Sequence, residues 1–422
     1  MRTSFLDRAL TRGLAAGDAE RLHRVAGIAA GHGKRLWLVG GPVRDLLAGR
    51  AMNDLDLAVD GGVQSIGREI AREFDGSLRW NPRFSTARIA FSGGHLDLAR
   101  TRTETYTTPG ALPIVRAGRI EQDLARRDFS VNAMALEILA QRTGELMDPF
   151  DGRTDLRSRA LRVLHEGSFS DDPTRAFRAA RFAARFGFRL EEQTRRQLVR
   201  MVERGEHEEL TGERVARELR LALSEERPSA ALAGFVRWRL TTAWGAASDP
   251  SLTGLRFLRY ANRRLERLGP HADQRIDLRL AVAFHDLPLA RRERIAQRLR
   301  LRRDERKMLL TAPSLTRALL ERVGRASGRL AVDRVCSDAP RPGLLLAGLL
   351  ADARTFAKMD RWWRSARRAR LEIDGDDLRS AGVPEGPPVA RGLRAAREAL
   401  LAGRAGSRET QLKIALRAAR RT

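Results

Sequence analysis

One cysteine, Cys336, stands in a chain of 422 residues. That excludes an internal disulfide and a thiolate metal cage, and it fits a reducing compartment. Aromatic residues are only 5% of the total, with two tyrosines. Lysine is almost missing: Lys34, Lys307, Lys358 and Lys413 are four among 79 basic side chains. No apolar run reaches the roughly 18 residues that a membrane span needs. The longest candidate, GLLLAGLLADA at 343–353, has the length of a buried helix. The first residues, MRTSFLDRALTRG, carry no apolar signal core, so a cytoplasmic protein without a membrane partner is expected.

Arginine is what the chain has in excess. Lysine and arginine outnumber acidic residues by 79 to 53, a formal charge of +26. A protein this positive attracts polyanions at long range and releases counterions on binding a phosphate backbone. Nucleic acid is therefore the first partner to expect. Hydrophobic residues, at 42%, suffice for real cores, and the length predicts more than one domain.

The patterning changes along the chain. Residues 1–35 read as an amphipathic helix with Leu22, Val25, Ile28 and Ala29 on one face. Short strand-like runs follow (RLWLVGG, NDLDLAV, TARIAFSGG, HLDLART), separated in part by helical patterns such as VQSIGREIAREF. That mixture ends near residue 140, and from Asp155 the periodicity is almost entirely helical. The expected fold is α+β: a mixed-sheet head over 1–140, then an all-α neck (141–225), body (226–360) and tail (361–422).

Within the head, the strand LWLV runs into Gly40 and Gly41, which remove side chains where backbone could approach a phosphate. Pro42 suits the first turn of a following helix, whose free N–H groups face an anion. Arg44, one turn in, adds a charge-assisted donor. In the next strand Asp54 and Asp56 are two residues apart and so share a face. Two like charges there gain nothing from packing, and a solvent-facing edge explains them when they are taken alone. Beside a glycine bend and Arg44 they form a divalent-metal site facing a triphosphate cradle, since Mg²⁺ prefers carboxylate and phosphate oxygens. Two ions could activate an attacking hydroxyl and stabilise leaving pyrophosphate. Asp97 in HLDLART repeats the alternation and is a third carboxylate or an exposed strand aspartate; Glu104 is a weaker substitute.

GGPVRD, NDLDLAV and RRDFSVNAMAL (126–136), continued by DPFDGRTDL (148–156), DDPTRAFRAARFAARFGF (171–188) and ERVARELRLAL (213–223), together resemble the class II tRNA nucleotidyltransferase and poly(A) polymerase family of the polymerase-β superfamily. The likeness is dense over 36–225, diffuse over 226–370, and returns in IDGDDLRSAGVPEGPPVARGLRAA (373–396). The resemblance implies a polymerase-β-like head and Mg²⁺-dependent addition of C or A, from CTP or ATP, to a tRNA 3′ end. It assigns Asp54 and Asp56 as metal ligands, with Gly40, Gly41 and Arg44 at the triphosphate. Arg127 and Asn132 match the motif that holds the ribose. Arg126, Arg127 and Asp128 could instead be a surface ion pair capping a helix FSVNAMALEIL.

Asp172 and Arg175 match the pair that templates the incoming base: a carboxylate accepts from the exocyclic amine of C or A, and a guanidinium donates to ring acceptors. Arg178 and Arg181, at spacing three, would continue toward the phosphates. Where the family usually has Glu-Asp before the proline, this chain has Asp171-Asp172. The competing reading is a capped helix with an internal ion pair and a basic stripe in solvent. The resemblance further implies that the helical part clamps the tRNA acceptor and T arms, and that residues 102–124 act as a lever. The oligomeric state is not legible. CC-only, A-only and poly(A) addition are alternatives within the class. A non-catalytic RNA-binding protein is another alternative. His285-Asp286 suggests an HD phosphohydrolase, but further ligands are lacking apart from His271 nearby. Trp362-Trp363 could stack bases or anchor a core.

Overall fold

Four consecutive apolar residues make β1 (Leu36–Val39), and all four are buried because the sheet around them is covered on both faces. The computed structural model describes residues 3–52, 55–105, 114–269, 272–364, 366 and 369–420. The chain divides into two units, Met1–Glu218 with Gly234–Ala243, and Leu219–Ala233 with Trp244–Thr422.

In the first unit the expected single N-terminal helix is two, α1 (Thr3–Gly13) and α2 (Asp18–Gly31), broken by Gly17 in left-handed backbone. After β1 come α3 (Gly41–Leu47), β2 (Asp56–Val59), α4 (Val63–Glu73), β3 (Ser77–Asn81), β4 (Thr86–Phe91) and β5 (Gly94–Arg100). A separate antiparallel pair, β6 (Arg102–Thr105) with β7 (Ile114–Ala117), flanks the middle of the expected lever; residues 106–113 lie outside the described residues. Then follow α5 (Ile120–Ala125), β8 (Ala135–Ile138), β9 (Thr143–Met147), α6 (Gly152–Ser158), β10 (Ala160–Leu161), α7 (Ser168–Asp171), α8 (Thr174–Phe186), β11 (Arg189–Leu190), α9 (Glu192–Glu203) and α10 (Gly212–Ser224), the last of which runs from the first unit into the second.

Seven strands form one sheet in the order β3-β4-β5-β2-β1-β8-β9. Its pairs are antiparallel except β2 with β5. Period-two alternation sorts the side chains. Leu36, Leu38, Leu57, Val59, Leu98 and Leu136 join Leu10, Leu22, Val25, Ile66 and Ile70 of the helices in one core. The opposite face buries Trp37, Val39, Ala58 and Ala135 against Ile120 and Leu124 of α5. Each fully buried leucine or isoleucine contributes roughly 1.5–3 kcal/mol, so these layers hold the strand ends in place.

Two expectations need correcting. FSVNAMALEIL is not a helix: Ser130–Asn132 is a single 3-10 turn and Ala135–Ile138 is a sheet strand. Tertiary pairing with β1 overrides local helix preference there. The strands also outlast residue 140, because β9 pairs with β8.

The second unit is helical among its described residues, with its longest helix at Arg303–Arg325 and an apolar one at Arg341–Leu350 whose residues Gly343 to Leu350 are all buried. No helix among the described residues is long and apolar enough to cross a membrane. Trp362 and Trp363 are both buried, 6% and 7% exposed, and Trp362 Nε1 donates to Asp333 Oδ1 at 2.8 Å. They are core anchors and do not present rings for base stacking. His285 Nδ1 donates to the Val282 carbonyl at 2.9 Å. Among the described residues no group of three or more His, Cys, Asp or Glu could hold a metal ion, and His271 lies outside them.

Candidate active site

β1 ends at Gly40, whose φ of 76° and ψ of −127° only glycine adopts easily. A Cβ at Gly40 would also collide with the Arg127 guanidinium. Gly41 and Pro42 then start α3, which turns Arg44 inward to 5% exposure. Arg44 is held on three sides. Its Nε and Nη2 donate to Asp45 (3.0 and 2.8 Å), its Nη1 donates to Asn132 Oδ1 (2.5 Å), and its plane lies 4.3 Å from the Phe186 ring centre.

That hydrogen-bond chain continues across the unit. Asn132 Nδ2 donates to Asp128 Oδ1 at 2.9 Å, and Arg178 Nε and Nη2 donate to Asp128 Oδ2 at 2.8 and 2.6 Å. Burial opposes ionisation of Asp128, yet Arg178, the Asn132 amide and the charge of Arg175 hold its carboxyl below the usual range. A second buried acid, Asp123, accepts from Arg126 and from Arg127 Nη2 (3.0 Å). Burial works against its charge too, and Arg127 and Arg126 outweigh it. Arg127 Nε is buried with no hydrogen-bond partner among the described residues, a donor suited to a ligand oxygen.

Asp172, just outside the Pro173 N-cap of α8, holds the first residue of the helix. Its Oδ1 accepts from Thr174 N (3.0 Å) and Oγ1 (2.7 Å), Pro173 precedes the first turn, and Gly187 at φ 70° ends the helix. Arg214 adds a third bond to the same oxygen at 2.7 Å; among the described residues no bond is made to Oδ2. The side chains of Asp172 and Arg175 do not pair with each other; only the Arg175 N–H donates to the Asp172 carbonyl, at 3.0 Å. Arg175, 4% exposed, donates to Ser168 O and Oγ and to the Arg126 carbonyl. Arg181 is 5% exposed, 3.7 Å from Glu218. The basic stripe of α8 therefore faces inward, and the internal ion pair with solvated arginines is excluded. Burial pushes the Glu218 carboxyl up, against Arg178, Arg181 and Arg217.

These groups line one cavity of about 460 Å³. Of the residues expected from sequence, Gly41, Arg44, Asp56, Arg127, Asn132, Asp172, Arg175, Arg178 and Arg181 border it. Seven arginines face four carboxylates there, so a polyanion would be attracted. Gly40 is one residue back, in the turn. Asp54 lies outside the described residues. Asp97 pairs in register with Asp56, but Arg88 grips its carboxylate at 2.7 and 2.6 Å and it does not border the cavity, whereas Glu104 does. Asp128, Asp123, Arg126 and Arg185 were not singled out as ligand-bearing from sequence. The Arg-Arg-Asp run was the only signal, and it reads equally as a surface ion pair until Asn132 and Arg178 converge on it.

Over its head and over its whole length the chain is similar to known proteins. Residues 36–162 match the family described as the poly A polymerase head domain. The A-adding tRNA nucleotidyltransferase of Halalkalibacterium halodurans is 42% identical over 174 residues, 41% of each chain. That of Geobacter sulfurreducens is 31% identical over 91% of this chain and 45% of its own. The chain thus spans less than half the length of these two curated relatives. Among solved structures, an apo CCA-adding enzyme superposes with a TM-score of 0.78 at 26% identity, covering 97% of this chain and 98% of that one. A Thermotoga maritima CCA-adding enzyme complexed with tRNA_CCA gives 0.73 at 25% identity, covering 99% and 98%. Residues 36–162 thus carry a poly A polymerase head domain, and the chain as a whole is similar to tRNA nucleotidyltransferases.

Proposed function

We propose that the protein adds C, A or both to the 3′ end of tRNA in the cytoplasm, using CTP and ATP. The observation that carries this reading is an arginine-rich cavity that brings Asp172 and Arg175, suited to a base, together with Arg44, Arg127, Arg178 and Asp56. In the reaction the tRNA 3′-oxygen bonds to the α-phosphorus, the bridge to the β-phosphate breaks, and pyrophosphate leaves with that electron pair. The hydroxyl proton passes to solvent.

This chain's residues bind and orient. Arg44 and Arg127 hold phosphate and ribose oxygens, with Asn132 at the sugar. Asp172 Oδ2 accepts from the exocyclic amine of C or A, and Arg175 keeps Nε–H and one Nη2 hydrogen for ring acceptors. Uracil and guanine would leave these groups unpaired, a penalty of about 1–3 kcal/mol. Positioning and charge neutralisation supply the rate. Asp54 and Asp56 suit Mg²⁺: few protein carboxylates beside substrate phosphates are what this ion takes. When bound, it neutralises phosphate charge and acidifies the attacking hydroxyl. The basic helical region would hold the acceptor and T arms by phosphate contacts and shape.

Terminal A addition alone is the second reading, favoured by the A-adding relative aligned over 91% of the chain. Purified protein, given tRNA lacking one, two or three terminal nucleotides with CTP or ATP separately, tests both. Incorporation with equal pyrophosphate release is expected; ATP used only on tRNA ending in CC selects the second reading. Folded protein that incorporates nothing would overturn the proposal.

A further inference from the structure

A second cavity, of about 410 Å³, shares Arg44 with the first. Its apolar lining is Leu47, Ala48, Leu156, Phe186 and Phe188. Its charged lining is Arg44, Arg50, Arg157 and Arg159 with a single acid, Asp45, which Arg44 already neutralises at 2.8 Å. Among the described residues no carboxylate pairs with Arg50, Arg157 or Arg159. Arg159 even holds left-handed backbone, φ 54°, where glycine or asparagine costs less. Its carbonyl accepts from Arg189 N at 2.9 Å, the link that brings it beside Phe188.

Each ring has a distinct task. Phe186 is 9% exposed, with the guanidinium of Arg44 4.3 Å and that of Arg50 5.0 Å from its centre. It supports Arg44 from behind. Phe188 is only half-buried, so part of its surface is open to the cavity. An aromatic beside a cluster of unneutralised arginines is the pattern that binds a nucleotide by stacking and phosphate contact together. The space is large for pyrophosphate alone and fits about one nucleotide.

We propose that this cavity is a second nucleotide subsite, taking one nucleoside phosphate with its base against Phe188 and its phosphate on Arg50, Arg157 and Arg159. The occupant is a nucleotide of the RNA strand or a free nucleotide; both offer the same chemistry. The inference rests on the proposed function for its setting, because the shared Arg44 joins this subsite to the catalytic one.

The test uses the full chain and two photoreactive probes: tRNA with a 4-thiouridine near its 3′ end, and 8-azido-ATP. Cross-linking of the tRNA probe to the peptide containing Phe188, lost in Arg50→Ala/Arg157→Ala, is expected if the RNA supplies the nucleotide. Cross-linking of the free nucleotide there, with the same loss, supports the site with the other source. In steady state, the double variant and Phe188→Ala should raise KM for whichever ligand cross-links about tenfold, with kcat nearly kept. The double variant should also flatten the salt dependence of RNA binding if RNA is that ligand. No cross-link at Phe188 from either probe, with unchanged KM values, would overturn the subsite. Incorporation that proceeds without the cross-link sinks only this inference; a cross-link without incorporation sinks only the catalytic reading.

Discussion

Arg178 of α8 and Asp128 of the Arg-Arg-Asp run, fifty residues apart, meet in two hydrogen bonds of 2.8 and 2.6 Å on one carboxylate oxygen. Through Asn132 the same carboxylate reaches Arg44. Arg178 and Arg44, both expected to face phosphates, are thereby tied to one buried acid.

Asp128→Asn should therefore cost roughly 2–3 kcal/mol of stability and raise KM for both CTP and ATP, since Arg178 and Asn132 lose their common anchor. The pH dependence has a definite sign. Folding lowers the Asp128 pKa from its ordinary 3.8, so its contribution is complete above that value and fades as pH falls below it. Denaturant melts should show the gap between wild type and variant narrowing below about pH 4; a gap constant with pH would refute the coupling.

The glycine bend, the strand that begins at Asp56 and the start of α8 are legible because each is local: Gly40-Gly41, Asp56 and Asp172-Pro173 signal themselves within a few residues. What was not legible depends on convergence. FSVNAMALEIL reads as a helix until β1 offers Leu136 and Ile138 a strand partner. Arg175 and Arg181 read as a solvent stripe until the packing around Phe177 and Ala180 turns α8 inward. Asp128 has no signal of its own, and only the meeting of Arg178 and Asn132 on it separates it from a surface ion pair.

Cys336 is fully buried, and burial together with nearby Asp333 pushes its thiol up to about 12. At pH 8 only about one molecule in ten thousand would carry the reactive thiolate. A disulfide reagent such as DTNB should label native protein extremely slowly and denaturant-unfolded protein at once. Fast labelling of the native state would show the thiol to be accessible.

Trp362→Phe removes the 2.8 Å bond to Asp333, while Arg397 still donates to that carboxylate at 3.0 and 2.9 Å. The loss of one hydrogen bond to a charged group should cost about 1.5–3 kcal/mol, read in denaturant melts with an unchanged m value. RNA affinity should not change, because the ring is buried. A fall in RNA binding without loss of stability would restore the base-stacking role.

Across the sheet, register aligns Arg79, Arg88, Asp97 and Asp56 on neighbouring strands. Since all four sit on one face, Asp97 is the carboxylate next to Asp56, and Arg88 is its present partner. If Asp97 serves an ion as well, it must exchange that guanidinium for the metal. Asp56→Asn should then lower kcat by about a hundred- to thousandfold, with tRNA binding retained. Asp97→Asn should raise the Mg²⁺ concentration needed for half-maximal rate, and Arg88→Ala should lower it by freeing the carboxylate. Magnesium titrations of the three variants decide the matter. An unchanged requirement in both Asp97→Asn and Arg88→Ala would make their ion pair a structural cross-strand contact, leaving Asp54 and Asp56 to hold the cation with the substrate phosphates.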